Sequence, residues 1–172
     1  VVQTTSPSMD IQISSNFERL LFEASGRDAA YVRRAMETLK QSRQFALGDA
    51  VHGAIATDFA AGRADTTEAG RTISHVLDAS GYLLDPHTAV ATHVARARAR
   101  AETPMIVLAT AHPAKFPDAV EDAAGIRPEL PAWLGDLMGR RERFAPLPSD
   151  LKMVEDYISA RTRAAGGSVG AG

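Results

Sequence analysis

At 172 residues the chain can bury a real core as one domain. Its 45% hydrophobic and 23% charged residues are the mixture of a soluble globular protein, and a net charge of -2 offers no basic field for nucleic acid or an anionic membrane. It contains no cysteine, which excludes disulfides, thiolate metal sites and a cysteine nucleophile from these residues and suits a reducing cytoplasm.

No apolar run approaches the ~20 residues of a membrane helix. The first residues lack the basic stretch and apolar run of a secretion signal. The chain starts at Val1 in a threonine- and serine-rich stretch, so it is expected to be a piece of a longer protein, cut by design or by proteolysis. Arg96, Arg98 and Arg100, and again Arg140, Arg141 and Arg143, form local clusters that read as solvated surface.

The first element is a helix over 14–25. Ser15 and Glu18 have capping-box spacing, and Phe17, Leu20, Leu21 and Ala24 form one apolar stripe that Gly26 ends. A second helix is expected over 28–43, with Tyr31, Val32, Ala35, Met36 and Leu39 inward. Residues 54–59, short, apolar and flanked by Gly53 and Gly62, read as a brief strand. Asp65 and Glu68 signal the next helix start, Ala69, Ile73, Val76 and Leu77 its stripe, and Gly81 its stop.

Residues 82–84 are expected as a short strand, followed by a helix over 88–101 with Val90, Val94 and Ala97 inward. The unbroken apolar run 105–109 gives the clearest buried strand. Pro113 then opens a helix whose inner face is Phe116, Ala119, Val120 and Ala123, with Gly125 as its stop. Shorter helices are expected over 131–138 and 149–163. Strands alternating with helices predict an α/β layer with a partial parallel sheet, whose other strands lie upstream or on another chain.

Two places carry chemically loaded residues, each where a strand end meets a helix start, as ligand sites in open α/β sheets do. The first is 83–90 (LLDPHTAV), with Asp85 at the strand end and Thr88 as cap; from spacing alone a capped helix with a plain turn residue explains it better. The second is 107–116 (VLATAHPAKF), where Thr110 can face a ligand and His112 and Lys115 lie near a helix start that favours anions. A capping threonine beside two surface groups is the competing explanation.

The five histidines have no metal-ligand spacing, so no metal is expected. Neither a glycine-rich phosphate loop nor a nucleophile elbow occurs. None of the three lysines, Lys40, Lys115 and Lys152, lies in a setting that suggests a Schiff base.

Three segments in order, 6–19 (SPSMDIQISSNFER), 81–90 (GYLLDPHTAV) and 109–116 (ATAHPAKF), resemble threonine synthase. The resemblance runs from the start of the chain to about Phe116 and is looser beyond. It implies the helix-rich carboxy-terminal part of a fold-type-II enzyme dependent on pyridoxal 5'-phosphate (PLP). The chain would be one catalytic portion over 1–163, helical from about 126, with a disordered tail at 164–172.

The implied reaction converts O-phospho-L-homoserine and water to L-threonine and phosphate, by γ-elimination and β-addition, in the cytoplasm. The resemblance puts the Schiff-base lysine in the amino-terminal half and the cofactor's phosphate loop shortly upstream of the 6–19 segment, so this piece alone is expected to be inactive. By motif Thr110 meets the pyridine nitrogen, Asp85 is the second cofactor candidate, and Asn16, Arg19 and Lys115 are candidates for the substrate and its phosphate. The expected partners are the substrate and the amino-terminal half, with self-association through the exposed face and no nucleic acid or membrane. The alternatives are another fold-type-II PLP lyase, such as a dehydratase, which the DPHT and HPAK motifs disfavour, and a catalytically inactive threonine-synthase-like binding protein.

Overall fold

The computed structural model describes residues 2–11 and 13–162, and among them seven α-helices and three single 3-10 turns are joined by irregular segments with no β-strand. The helices are α1 (Ser15–Ala24), α2 (Ala29–Ser42), α3 (Asp49–Asp58), α4 (Thr66–Ser80), α5 (Pro86–Arg98), α6 (Pro117–Ala124) and α7 (Leu151–Arg161). The expected tail at 164–172 lies outside the described residues. The chain divides into two units, Val1–Leu130 and Pro131–Gly172. Within the second, two 3-10 turns (Ala132–Leu134 and Leu137–Gly139) replace the helix expected over 131–138.

In the first unit α1 packs on α2 and α3, and α4 packs on α5 and α6. Leu21 of α1 is fully buried, and the expected inner face of α2 is the one turned from solvent. Asp28 caps α2 by accepting from the Ala30 and Tyr31 amides, and the Tyr31 amide is the main reason its carboxyl is held below the usual carboxylate range.

The better-packed half is built around α4. Ala69, Ile73, Leu84 and Ala89 are buried together, with Val76, Leu83, Val90, Ala123 and Ala124 closing over them. Burying a side chain such as Ile73 is worth roughly 1.5–3 kcal/mol. Asp65 and Glu68 form a complete capping box: the Glu68 amide donates to Asp65 and the Asp65 amide to Glu68, both at 2.8 Å. Asp65→Ala should cost the complete protein about 1 kcal/mol, read as a lower urea midpoint; an unshifted midpoint would mean the box adds nothing measurable.

Gly81 ends α4 at φ +71°, in the left-handed region where a side chain is strained. At Gly62 the reason for glycine is space. A Cβ there would stand 2.6 Å and 2.8 Å from the two Val94 methyls, so the 60–65 loop passes close over α5.

The helical part of the expected fold is present, and the strands are not among the described residues. Residues 54–59 belong mostly to α3, whose alanines favour helix and whose Val51 and Ile55 share a face at i, i+4. Gly53, read from sequence as a boundary, lies inside that helix. Residues 82–84 form an irregular link that still buries Leu84. Residues 105–109 have no regular structure and no ladder, and Ile106 (81%) and Leu108 (73%) stand open to solvent. A strand exists only through its neighbour, and the one bridge among the described residues joins Arg100 to Thr103.

Two helix starts also shift for local reasons. Pro86 takes the first helical position of α5, which makes Asp85 the cap in place of Thr88. Pro113 opens one 3-10 turn only (Pro113–Lys115), because Pro117 disfavours helical geometry at Phe116, and α6 begins afresh after it. At α1 the capping side chain is Ser14, which accepts from the Phe17 amide, so Ser15 is the first helical residue.

Candidate active site

The site begins with a folded amino-terminal segment. The Thr4 hydroxyl and amide donate to the Asp10 carboxylate, the hydroxyl at 2.9 Å, and the Met9 amide donates to the Ser6 carbonyl at 2.8 Å. These bonds close residues 4–10 into a loop whose turn, at 6–9, lies on the start of α5. There the buried Ser6 hydroxyl donates to the Pro86 carbonyl at 3.0 Å, and the Ser8 amide donates to His87 Nε2 at 3.1 Å.

Asp85 lies under this contact with 1% of its surface exposed. One carboxylate oxygen accepts from the His87 amide at 2.9 Å and from His87 Nδ1 at 3.0 Å. The other accepts from the Thr88 amide at 3.3 Å and from the Thr88 hydroxyl. Four donors of the chain therefore converge on one carboxylate, the number it can accommodate. The same bonds set the histidine tautomer: Nδ1 carries the proton given to Asp85, and Nε2 accepts from Ser8.

The second motif reaches the same place from the other side. The His87 ring packs against Phe116, centroids 4.6 Å apart and planes tilted by 51°. Upstream of Phe116, His112 Nδ1 accepts from the Ala114 amide at 3.2 Å, and the exposed Lys115 holds Nζ 5.8 Å from the Phe116 ring centroid. Thr110 follows the irregular segment 105–109, exposed, and no hydrogen bond engages its hydroxyl among the described residues.

Asn16 and Arg19 are both exposed on the first turns of α1, where the Arg19 guanidinium donates to Asn16 Oδ1. The structure thus joins Asp85 through His87 and Phe116 to the Lys115 turn, and pairs Asn16 with Arg19. No described contact links those two groups or ties either to Thr110. An open groove of about 910 Å³ runs between the amino-terminal segment, the 60–65 loop and α5, lined by Ser8, Met9, Val90, Val94 and Met105 among others. None of the five residues singled out from the sequence lines it.

Sequence reasoning missed Ser6, Ser8 and the His87 ring as organisers of this region. A signal for one of them was present: an Asp-Pro pair marks a capped helix start, and a histidine two residues after the cap can reach its carboxylate.

Known proteins match along the whole of this region. A family model described as Threonine synthase, C-terminal, matches residues 88–158. The threonine synthase of Pseudomonas aeruginosa is 43% identical over 156 residues, covering 90% of this chain and 33% of that protein. The Corynebacterium glutamicum enzyme is 39% identical over 160 residues, with 91% and 33% covered. In structure, the PLP-bound threonine synthase from Brucella melitensis agrees with a TM-score of 0.78 at 60% identity, over 92% of this chain and 34% of that one. The chain spans about a third of the length of the relatives it matches. With the family model matching over 88–158 and threonine synthases matching over 90–92% of its residues, this chain belongs to the threonine synthase family, as a carboxy-terminal portion of that enzyme.

Proposed function

We propose that the complete protein is a threonine synthase, a PLP-dependent lyase converting O-phospho-L-homoserine and water to L-threonine and phosphate. The observation that carries this reading is the 60% identity and TM-score of 0.78 shared with the PLP-bound enzyme of Brucella melitensis. The cofactor's lysine is assigned to the amino-terminal portion, because Lys40 and Lys152 lie on α2 and α7 and Lys115 in an exposed turn. On this reading the present residues alone are inactive.

When bound, PLP supplies an electron sink for bonds breaking at the amino-acid substrate. Thr110 suits it by donor chemistry, being an exposed hydroxyl with no internal engagement among the described residues. We assign it to the pyridine nitrogen. A neutral hydroxyl does not enforce a protonated ring as a carboxylate would, which tempers the sink and favours loss of phosphate from Cγ, followed by water addition at Cβ. The departing phosphate gathers negative charge, which amide and cationic donors stabilise. Asn16, Arg19 and Lys115 are the donors assigned to it; Asn16 Oδ1 accepts from Arg19 and leaves its amide NH2 to donate. Asp85, with both oxygens engaged inside the chain, is assigned a positioning role.

The fold completes in the same way. Residues 105–109 become one strand of a parallel sheet whose neighbours lie in the rest of the protein, covering Ile106 and Leu108. The same faces drive self-association when this portion stands alone. No helix among the described residues is long and apolar enough to cross a membrane. A chain without cysteine is suited to the cytoplasm, where we place the reaction.

The test is turnover by the full-length protein loaded with PLP. Threonine and phosphate should appear in equal amounts from O-phospho-L-homoserine. PLP binding without product would favour the threonine-synthase-like binding protein, and no PLP binding would sink both readings.

A further inference from the structure

We propose that His87 is a positioning residue that joins the turn at 6–9 and the turn leading to Phe116 onto the start of α5, and so orients Thr110 without touching it. The inference deepens the cofactor reading of Thr110 and rests on it in that respect. His87 is 4% exposed and each part of its ring is engaged by a different element. Nδ1 donates to Asp85 at the helix cap, Nε2 accepts from the Ser8 amide seventy-nine positions away in the chain, and one face packs on Phe116.

No other side chain could make all three contacts. Phenylalanine would keep the packing and lose both polar bonds. It would also leave one acceptor site of the buried Asp85 unmatched, a costly arrangement, and would release the partly buried Ser8 amide bond. The consequence travels along the backbone. Phe116 lies six residues after Thr110, with Ala111, the His112 cap and the Pro113–Lys115 turn between. The ring contact therefore anchors the segment that presents the hydroxyl. Ser8, on the other side, lines the groove beside α5 and leads through residues 9–14 into the helix bearing Asn16 and Arg19. One imidazole thus touches the bases of both segments that carry proposed ligand contacts. Displacements of about 1 Å at such supports can cost much of the rate.

Two amide variants separate the polar bonds. In His87→Gln the side-chain oxygen reaches the place of Nε2 and can accept from Ser8; in His87→Asn the amide reaches only the place of Nδ1 and can donate to Asp85. In the full-length holoenzyme, H87N should lower kcat about tenfold, with KM for O-phospho-L-homoserine changed far less. H87Q should recover most of that loss. On cofactor-stripped protein, visible-absorbance titration should show weaker PLP binding for H87N than for H87Q. Hydrogen exchange at the Ser8 amide should be fast in H87N and protected in H87Q. Equal behaviour of the two variants in exchange, or wild-type exchange in both, would overturn the proposal. Loss of activity in step with loss of stability in both would reduce His87 to packing and also overturn it. A Thr110→Val enzyme with unaltered PLP binding and turnover would instead overturn the cofactor reading, while the exchange contrast at Ser8 would stand.

Discussion

Asp85→Ala should destabilise the complete protein by about 3 kcal/mol, a fall in the urea or thermal midpoint that no other single polar side chain of the first unit should match. The expectation follows from counting donors. The carboxylate takes two backbone amides, the His87 ring N–H and the Thr88 hydroxyl, and its surface is 1% exposed. Alanine removes the acceptor and leaves all four donors, on residues that are themselves buried. It also uncaps α5, which alone costs about 1 kcal/mol.

Asp85→Asn is the sharper probe, because it keeps size and one acceptor oxygen while turning a second acceptor into a donor that faces donors. Most of the alanine penalty should persist in it. If both variants kept wild-type stability while PLP affinity collapsed, the carboxylate would belong to the cofactor, as the motif resemblance first suggested. A stability loss with affinity falling only in proportion supports the positioning role.

What could be read from the residues beforehand divides along the range of the forces involved. Helices close their hydrogen bonds within four residues, so the stripes of α2, α4 and α6 were visible as spacing, and each of those faces is turned inward in the structure. Caps are legible in part: Asp65 and Glu68 signal the start of α4, where they form the capping box, whereas at α1 and α5 the cap lies one residue before Ser15 and three before Thr88. Pro86 held the information needed for the second of these.

Strands were the weak point because a strand is defined by a partner distant in sequence. Residues 105–109 have the apolar content of a central strand and, in this portion, no neighbour to make them one. Residues 54–59 show the opposite error, a short apolar run taken for a strand that its alanines turn into helix. Such runs are ambiguous by periodicity alone.

The site was legible as three motifs but not as a mechanism for holding them together. Nothing in the spacing of Ser8 and His87 announces a bond between positions seventy-nine apart. It depends on the 4–10 loop closing on itself through Thr4 and Asp10, a local event, and then docking on α5, a tertiary one. The motif segments therefore stand for more than ligand contacts, since several of their residues hold each other: Ser6 with Pro86, Ser8 with His87, and His87 with Phe116.

Thr110→Val in the full-length enzyme should lower kcat about 100-fold or more, the usual cost of losing one preorganised donor at a reacting centre. Valine matches threonine in shape and in its stiff χ1 preference, so the segment at 104–110 should keep its path. Thr110 is exposed in this portion and no described bond depends on its hydroxyl, so stability should change by less than about 0.5 kcal/mol. The combination separates the two explanations of this residue. A capping or packing threonine would show its loss in the denaturation midpoint and spare turnover. A cofactor contact would show it in kcat and in the visible absorption of bound PLP. Thr110→Ser, which restores the hydroxyl on a freer rotor, should recover a large part of the rate. If valine supported wild-type turnover, the pyridine nitrogen would have to be assigned another partner, and no second exposed hydroxyl lies in the 109–116 motif to take its place.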